Sequence, residues 1–155
     1  MEPTEKHNKI REVELSYSYD MKSVKREKIS SSKDAYQYLS KAYNKNTIGM
    51  QEEFMAVLLN KANKPLGVVK LTKGGIDSTI IDIRLLMAAA LKSLSCGIII
   101  THNHPSGEVK PSQSDITITK KVKEAGKLLD IPLLDHIIVT PFGQYFSFAD
   151  EGLMT

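Results

Sequence analysis

Glu53-Phe-Met-Ala-Val-Leu-Leu59 is apolar at every position after its opening glutamate, and so continuous a run over so short a length is the signature of a strand covered on both faces. Asn60-Lys-Ala-Asn-Lys-Pro65 supplies a turn, and Leu66–Leu71 a second strand that should pair with the first as an antiparallel hairpin. Gly97–Thr101 repeats the buried-strand pattern. Between these strands, Asp82 can cap a helix that carries Leu86, Met87, Ala90, Leu91 and Leu94 on one face. Ile118, Val122, Ala125 and Leu129 mark a further helix, ending near Gly126–Asp130, and His136–Thr140 with Gln144–Phe148 form a closing hairpin around Pro141-Phe-Gly143. Strands interleaved with helices, in a sheet partly buried on both sides, predict an α/β protein with three α/β/α layers.

Upstream, Ser31-Ser-Lys-Asp34 reads as a capping-box helix start, followed by Ala35, Tyr38, Leu39 and Tyr43 on one face, with a loop from Asn44 to Gly49. Val13, Leu15, Tyr17 and Tyr19 alternate with polar residues, and Lys22–Ile29 can return beside them as a small hairpin. The 155 residues suit one domain with its own core, at 31–155, preceded by an extension at 1–30. The net charge of +3 belongs to the N-terminal part, where residues 1–48 hold 10 Lys/Arg against 7 Asp/Glu while residues 49–155 hold 11 of each. So slight a surplus is the ordinary solvated surface, with Lys22–Lys28 its densest stretch. No apolar run approaches the roughly 20 residues of a membrane span, and the start has no signal-peptide pattern, so a cytoplasmic protein without a membrane partner is expected. Cys96 is the only cysteine, which excludes an intramolecular disulfide and a cysteine-rich zinc knuckle. Opening the run Cys-Gly-Ile-Ile-Ile, it is expected to be a small buried thiol rather than a nucleophile.

Chemistry concentrates where the third strand ends. Thr101-His-Asn-His-Pro-Ser-Gly107 leaves that strand, and Lys110-Pro-Ser-Gln-Ser-Asp115 opens the next helix. In extended chain, residues two apart point the same way, so His102 and His104 can converge on one ion while Asn103 faces elsewhere. Asp115, in the first turn of the helix, can return a third ligand. Imidazole nitrogen and carboxylate oxygen suit zinc, and three protein ligands leave a fourth position for water, as in catalytic sites. Ser112 and Asp115 also form a helix capping box, and Pro105-Ser-Gly107 is an ordinary turn. The conjunction of strand end, histidine pair, turn and acidic helix start favours the metal. His136, between Leu133-Leu134 and Ile137-Ile138, reads as a satisfied histidine near the sheet rather than a fourth ligand. His7 falls in the extension.

His102-x-His104-Pro105, then Ser112-x-x-Asp115 after six residues, resembles the signature of the JAMM (MPN-plus) zinc metalloproteases, and His-Asn-His-Pro-Ser-Gly resembles its RadC-type branch. Similar matches are Glu52–Asn60, Glu124–Leu129, Pro132–His136 and Phe148–Gly152, so the likeness covers about residues 31–155. The resemblance implies a JAB/MPN domain with a mixed sheet like that of cytidine deaminase, one Zn2+ per chain, and hydrolysis of a peptide or isopeptide-linked protein substrate. It also implies an upstream glutamate that carries protons between water and the leaving amine. Glu52 stands two before Phe54, where the pattern has its acid. Glu53 is the alternative, and because neighbours on a strand face opposite ways only one of them can serve. By the same likeness, Ser112 hydrogen-bonds the oxyanion of the tetrahedral intermediate.

Two other classes compete. RadC-type proteins commonly carry an N-terminal helix-hairpin-helix module, in whose place stands a short, weakly charged extension. Support for a nucleic-acid partner, as in a DNA-repair accessory protein, thus reduces to Lys22–Lys28 and Lys120-Lys-Val-Lys123. A nucleobase deaminase needs His-x-Glu with Pro-Cys-x-x-Cys, which one cysteine cannot supply.

Overall fold

A computed structural model describes residues 27–73 and 81–154. Within them the elements run α1 (Ser32–Ser40), β1 (Glu53–Leu59), β2 (Pro65–Lys73), α2 (Ile83–Lys92), β3 (Gly97–Asn103), α3 (Gln113–Leu128), β4 (Leu133–Val139) and β5 (Tyr145–Ser147). The strands make one sheet in the order β2-β1-β3-β4-β5. β1 pairs antiparallel with both β2 and β3, β3 runs parallel to β4, and β4 pairs antiparallel with β5. The expected hairpin at Val13–Ile29 lies outside the described residues apart from 27–29, which form no strand. Among the described residues no helix is long and apolar enough to cross a membrane.

Each uninterrupted apolar strand serves two cores, because alternate side chains leave opposite faces. On one face Phe54, Ala56 and Leu58 of β1 and Ile98 and Ile100 of β3 pack with Leu86, Met87 and Ala90 of α2 and Val122 of α3. On the other, Met55, Val57, Leu59, Ile99, Ile137 and Val139 pack with Ala35 and Leu39 of α1 and with Tyr43. The sheet is therefore the middle layer of an α/β/α fold, as expected. Antiparallel neighbours can be joined by tight turns, but a parallel pair needs a long crossover. For β3 and β4 that crossover is α3, and it brings the helix N-terminus back over the C-terminal end of β3.

The helix starts follow their capping residues. The Ser31 hydroxyl accepts from the Asp34 N–H at 3.1 Å, while the Asp34 carboxylate takes the Ser30 N–H at 3.0 Å, one residue earlier than a regular capping box. Asp82 caps α2 through the Arg84 N–H. Three expectations are corrected. Leu91 and Leu94 are exposed, since Leu91 lies at the margin of the stripe set by Leu86 and Ala90, and the helix stops at Lys92, after which Leu94 takes a positive φ of 57°. Cys96 is exposed, because it precedes the first residue of β3 and only its N–H, bonded to Leu59 O at 2.8 Å, joins the sheet edge.

The buried face of α3 includes Thr119 and Gly126, which the apolar pattern did not single out. At Gly126 the helix comes so near the following chain that an added Cβ would stand 2.3 Å from the Ile131 carbonyl oxygen. The obstacle is backbone and cannot rotate away. Gly126→Ala is therefore expected to destabilise the protein by about 1–3 kcal/mol despite alanine's better helix propensity, read as a lowered denaturation midpoint.

Candidate metal centre

Strand parity sets the first two side chains. His102 lies opposite Phe54 in the β1–β3 ladder, on the face that carries Ile98 and Ile100, and stacks on that ring with centroids 5.3 Å apart. His104, two residues on, continues the same face, its N–H bonded to Val139 O at 2.9 Å. The chain then reverses through Pro105-Ser-Gly107, where Gly107 holds φ +88°, a conformation that costs glycine little. This turn places the Glu108 carbonyl 2.6 Å from His104 Nδ1.

Asp115 approaches from the first turn of α3. Its Oδ1 lies 3.1 Å from His102 Nε2 and its Oδ2 3.2 Å from His104 Nε2, while the two Nε2 atoms are 2.9 Å apart. The three residues form a group able to hold one metal ion, their ligating atoms all within 4.8 Å of one another. Donor chemistry fits such an ion. A carbonyl cannot donate, so His104 Nδ1 bears the hydrogen toward Glu108, and the Nε2 lone pair turns to the cluster. With lone pairs and a carboxylate converging, a proton or a cation must stand among them.

The capping role of Asp115 is compatible with this. Ser112 N–H donates to Asp115 Oδ2 at 2.8 Å, and Asp115 N–H donates to Ser112 Oγ at 3.1 Å, completing the reciprocal box. The box uses a lone pair of the Ser112 hydroxyl and leaves its hydrogen available. Burial would push the Asp115 carboxyl up, but hydrogen bonds with His102 and His104, electrostatic attraction to the His102 ring and the Ser112 N–H hold it well below the usual carboxylate range. For His104, burial pulls the pKa down. Hydrogen bonds to Asp115 and to the Glu108 carbonyl, with the charges of Asp115 and Glu52, outweigh it and leave the pKa raised.

Glu52, Ser112 and the three cluster residues line one cavity of about 670 Å³, with Phe54 in its wall. Glu53 points to the other face, where it is buried and its carboxylate lies 3.5 Å from Lys70 Nζ. His136 does not reach the cluster. It is buried beneath it, stacked on Phe148 at 4.5 Å, and its Nε2 lies 2.7 Å from His102 Nδ1. Burial, then its electrostatic coupling to neighbouring His102, pushes its pKa well down.

Asn103 was expected only to face away. Its side chain accepts the Glu53 N–H at 2.7 Å and donates to Gln51 O and Ile48 O, each at 2.8 Å. It thus grips the backbone on both sides of Glu52. The signal in the sequence was the residue type, since a buried amide at a strand end must find partners for both its ends.

Compared with known families, residues 29–153 match the RadC-like JAB domain. A UPF0758 protein of Flavobacterium johnsoniae is 45% identical over 130 residues, which are 84% of this chain and 55% of that protein. A UPF0758 protein of Porphyromonas gingivalis is 44% identical over 130 residues, 84% of this chain and 56% of its own length. One of Methanosarcina mazei is 39% identical over 127 residues, 82% and 54% of the two chains. The chain spans about half the length of these relatives.

A metal ion taken up here would have to displace the proton that Asp115 favours on His104. Apparent zinc affinity is expected to fall as pH drops through the raised His104 pKa, with proton release on binding, measured by titration calorimetry in buffers of different ionisation enthalpy. In the metal-free protein the sign reverses. The stabilisation from His104 is full below its unfolded pKa of about 6.5 and is lost as pH rises through the higher folded value, so the thermal midpoint gained on adding zinc should grow with pH.

Proposed function

The chain belongs to the family of RadC-like JAB domains, and from that premise we propose that it is a zinc-dependent hydrolase of peptide or isopeptide bonds. The observation that carries this reading is the convergence of a histidine pair, two carboxylates and a serine on one cavity. Two imidazole nitrogens and one carboxylate oxygen are a donor set suited to zinc with an open position. Bound there, the ion supplies Lewis acidity, polarising a carbonyl and lowering the pKa of water.

The chain's own residues supply the rest. Glu52, held between the Asn103 contacts at Gln51 and Glu53, takes a proton from the attacking water and returns it to the leaving amine. The hydrogen of Ser112 Oγ, left over from the helix cap, is donated to the oxyanion of the tetrahedral intermediate. Phe54 stacks behind His102 and closes that side of the ring to water.

A nucleic-acid role has less support. The described part of its sequence basis is Lys120-Lys-Val-Lys123 with 27–28, and of these only Lys121 lines the cavity, together with Lys110 and the carboxylates Glu52, Glu108 and Asp115. The phosphates of single-stranded or duplex DNA would be repelled by those three carboxylates, whereas a peptide carbonyl carries no net charge for them to repel.

Side-by-side assay of linear peptides, isopeptide conjugates and DNA should find amide hydrolysis by zinc-loaded wild type. Glu52→Gln should lose about 10²- to 10⁴-fold in rate with unchanged zinc content. Equal rates in the two proteins would overturn the assignment. His102→Ala is expected to lose both stoichiometric zinc and activity, read by elemental analysis.

A further inference from the structure

Behind the metal-facing atoms runs a second line of hydrogen bonds that the proposed chemistry does not use. His102 Nδ1 lies 2.7 Å from His136 Nε2, His136 Nδ1 lies 2.6 Å from Thr119 Oγ1, and Thr119 Oγ1 lies 2.6 Å from the carbonyl oxygen of Asp115. All three side chains are buried. The line therefore starts at one candidate ligand and ends on the backbone of another.

Donor accounting fixes where each hydrogen lies. The Asp115 carbonyl can only accept, so the single Thr119 hydroxyl hydrogen goes to it. Thr119 Oγ1 must then accept from His136, which places a hydrogen on His136 Nδ1. Packed against Phe148 and Phe54, a neutral His136 leaves Nε2 bare, and that nitrogen accepts from His102 Nδ1–H. His102 is thereby left with its Nε2 lone pair toward Asp115 and His104. Reversing any one hydrogen reverses the whole line and puts a hydrogen on His102 Nε2, where a metal could not bind.

We propose that Thr119 and His136 are positioning residues that select the tautomer of His102, holding its Nε2 lone pair toward the metal position. The proposal rests on the reading of His102, His104 and Asp115 as a metal centre. His104 is served separately, by the Glu108 carbonyl. Because a carbonyl can never donate, that partner needs no selector, whereas a histidine partner with two tautomers does. Thr119 stands one turn after Asp115 on α3, so the hydroxyl that sets the tautomer is fixed to the helix that brings the carboxylate.

The test uses the full chain, zinc and a competing chelator. Thr119→Val leaves His136 Nδ1–H without an acceptor and frees His136 to take the opposite tautomer. Zinc affinity should fall about 10- to 100-fold, the usual range for a lost outer partner of a metal ligand, and Thr119→Ser should restore it. His136→Gln, which can still offer an acceptor, should bind zinc more tightly than His136→Leu. Nitrogen-15 correlation spectra of the zinc-loaded wild type, which need no variant to fold, should show His136 protonated at Nδ1 and bare at Nε2. A hydrogen on His136 Nε2, or zinc affinity in folded Thr119→Val within twofold of wild type, overturns the tautomer assignment while leaving the metal centre standing. Failure of wild type itself to take up zinc overturns the metal centre and this proposal with it.

Discussion

Extended backbone turns consecutive side chains to opposite faces of a sheet, and at the C-terminal end of β3 that period decides which residues meet. Thr101 and Asn103 leave by the α1 face, where Thr101 bonds the buried Tyr43 hydroxyl at 3.0 Å and Asn103 grips the segment before β1. Burial pushes the Tyr43 phenol far up, so it stays a neutral partner there. His102 and His104 leave by the α3 face, where Asp115 waits. Four successive residues thus tie both helical layers and the neighbouring strand to one point. A shift of one residue in the β1–β3 register would send the histidines into the α1 core and the amide into the cavity.

The crossover supplies what the strand cannot. Since β3 and β4 are parallel, α3 must begin beyond the C-terminal end of β3, and open α/β sheets bind ligands at such strand ends. The first turn of a helix also favours a carboxylate, through its unpaired N–H groups and the helix dipole. Asp115 is accordingly stabilised as an anion by the fold before any metal is considered. A carboxylate has lone pairs enough to accept the capping N–H and still face the two histidines, so the capping role is compatible with that of a candidate ligand.

Much of this was legible in the residues alone. Uninterrupted apolar strands announced a sheet covered on both sides, and the two-residue period sorted His102 and His104 from Asn103. For Glu52 and Glu53 it said only that they face opposite ways, and the choice of Glu52 came from the family resemblance. What stayed hidden depends on register between strands distant in sequence. In the β3–β4 ladder Ile98 lies opposite Leu133, but Ile99 lies opposite Asp135, with Leu134 skipped. Unshifted alternation from Leu133 would turn Asp135 toward α3. The shift sends Asp135 to the other face, where it accepts from Ser147 Oγ at 2.6 Å and Ala149 N–H at 3.0 Å, and turns His136 toward His102. No pattern within Pro132–Val139 reveals a skipped residue, which is why His136 could be read only as a satisfied histidine. Thr119 was missed for a related reason, since a helical threonine on a mostly apolar face looks like a tolerated polar residue until its partner is known.

Burial favours such a relay, and not a second aliphatic layer, beneath a candidate metal centre. A ligand ring supported only by apolar contacts would be free to carry its hydrogen on either nitrogen, and in the absence of metal the carboxylate of Asp115 would draw that hydrogen to Nε2. A fixed acceptor at Nδ1 opposes this pull. Leaving buried Nδ1 unpaired would itself cost about 1–3 kcal/mol, so the polar line is favourable wherever it is complete, and completeness is what Thr119 provides by ending the line on a carbonyl. On the proposed reading, affinity for an ion would depend on three elements at once: β3 for the ring, β4 for its acceptor, and α3 for both the terminus of the line and the candidate third ligand. Loosening any of them would then weaken the proposed centre without touching a candidate ligand, which would tie the stability of the fold to the proposed chemistry at its edge.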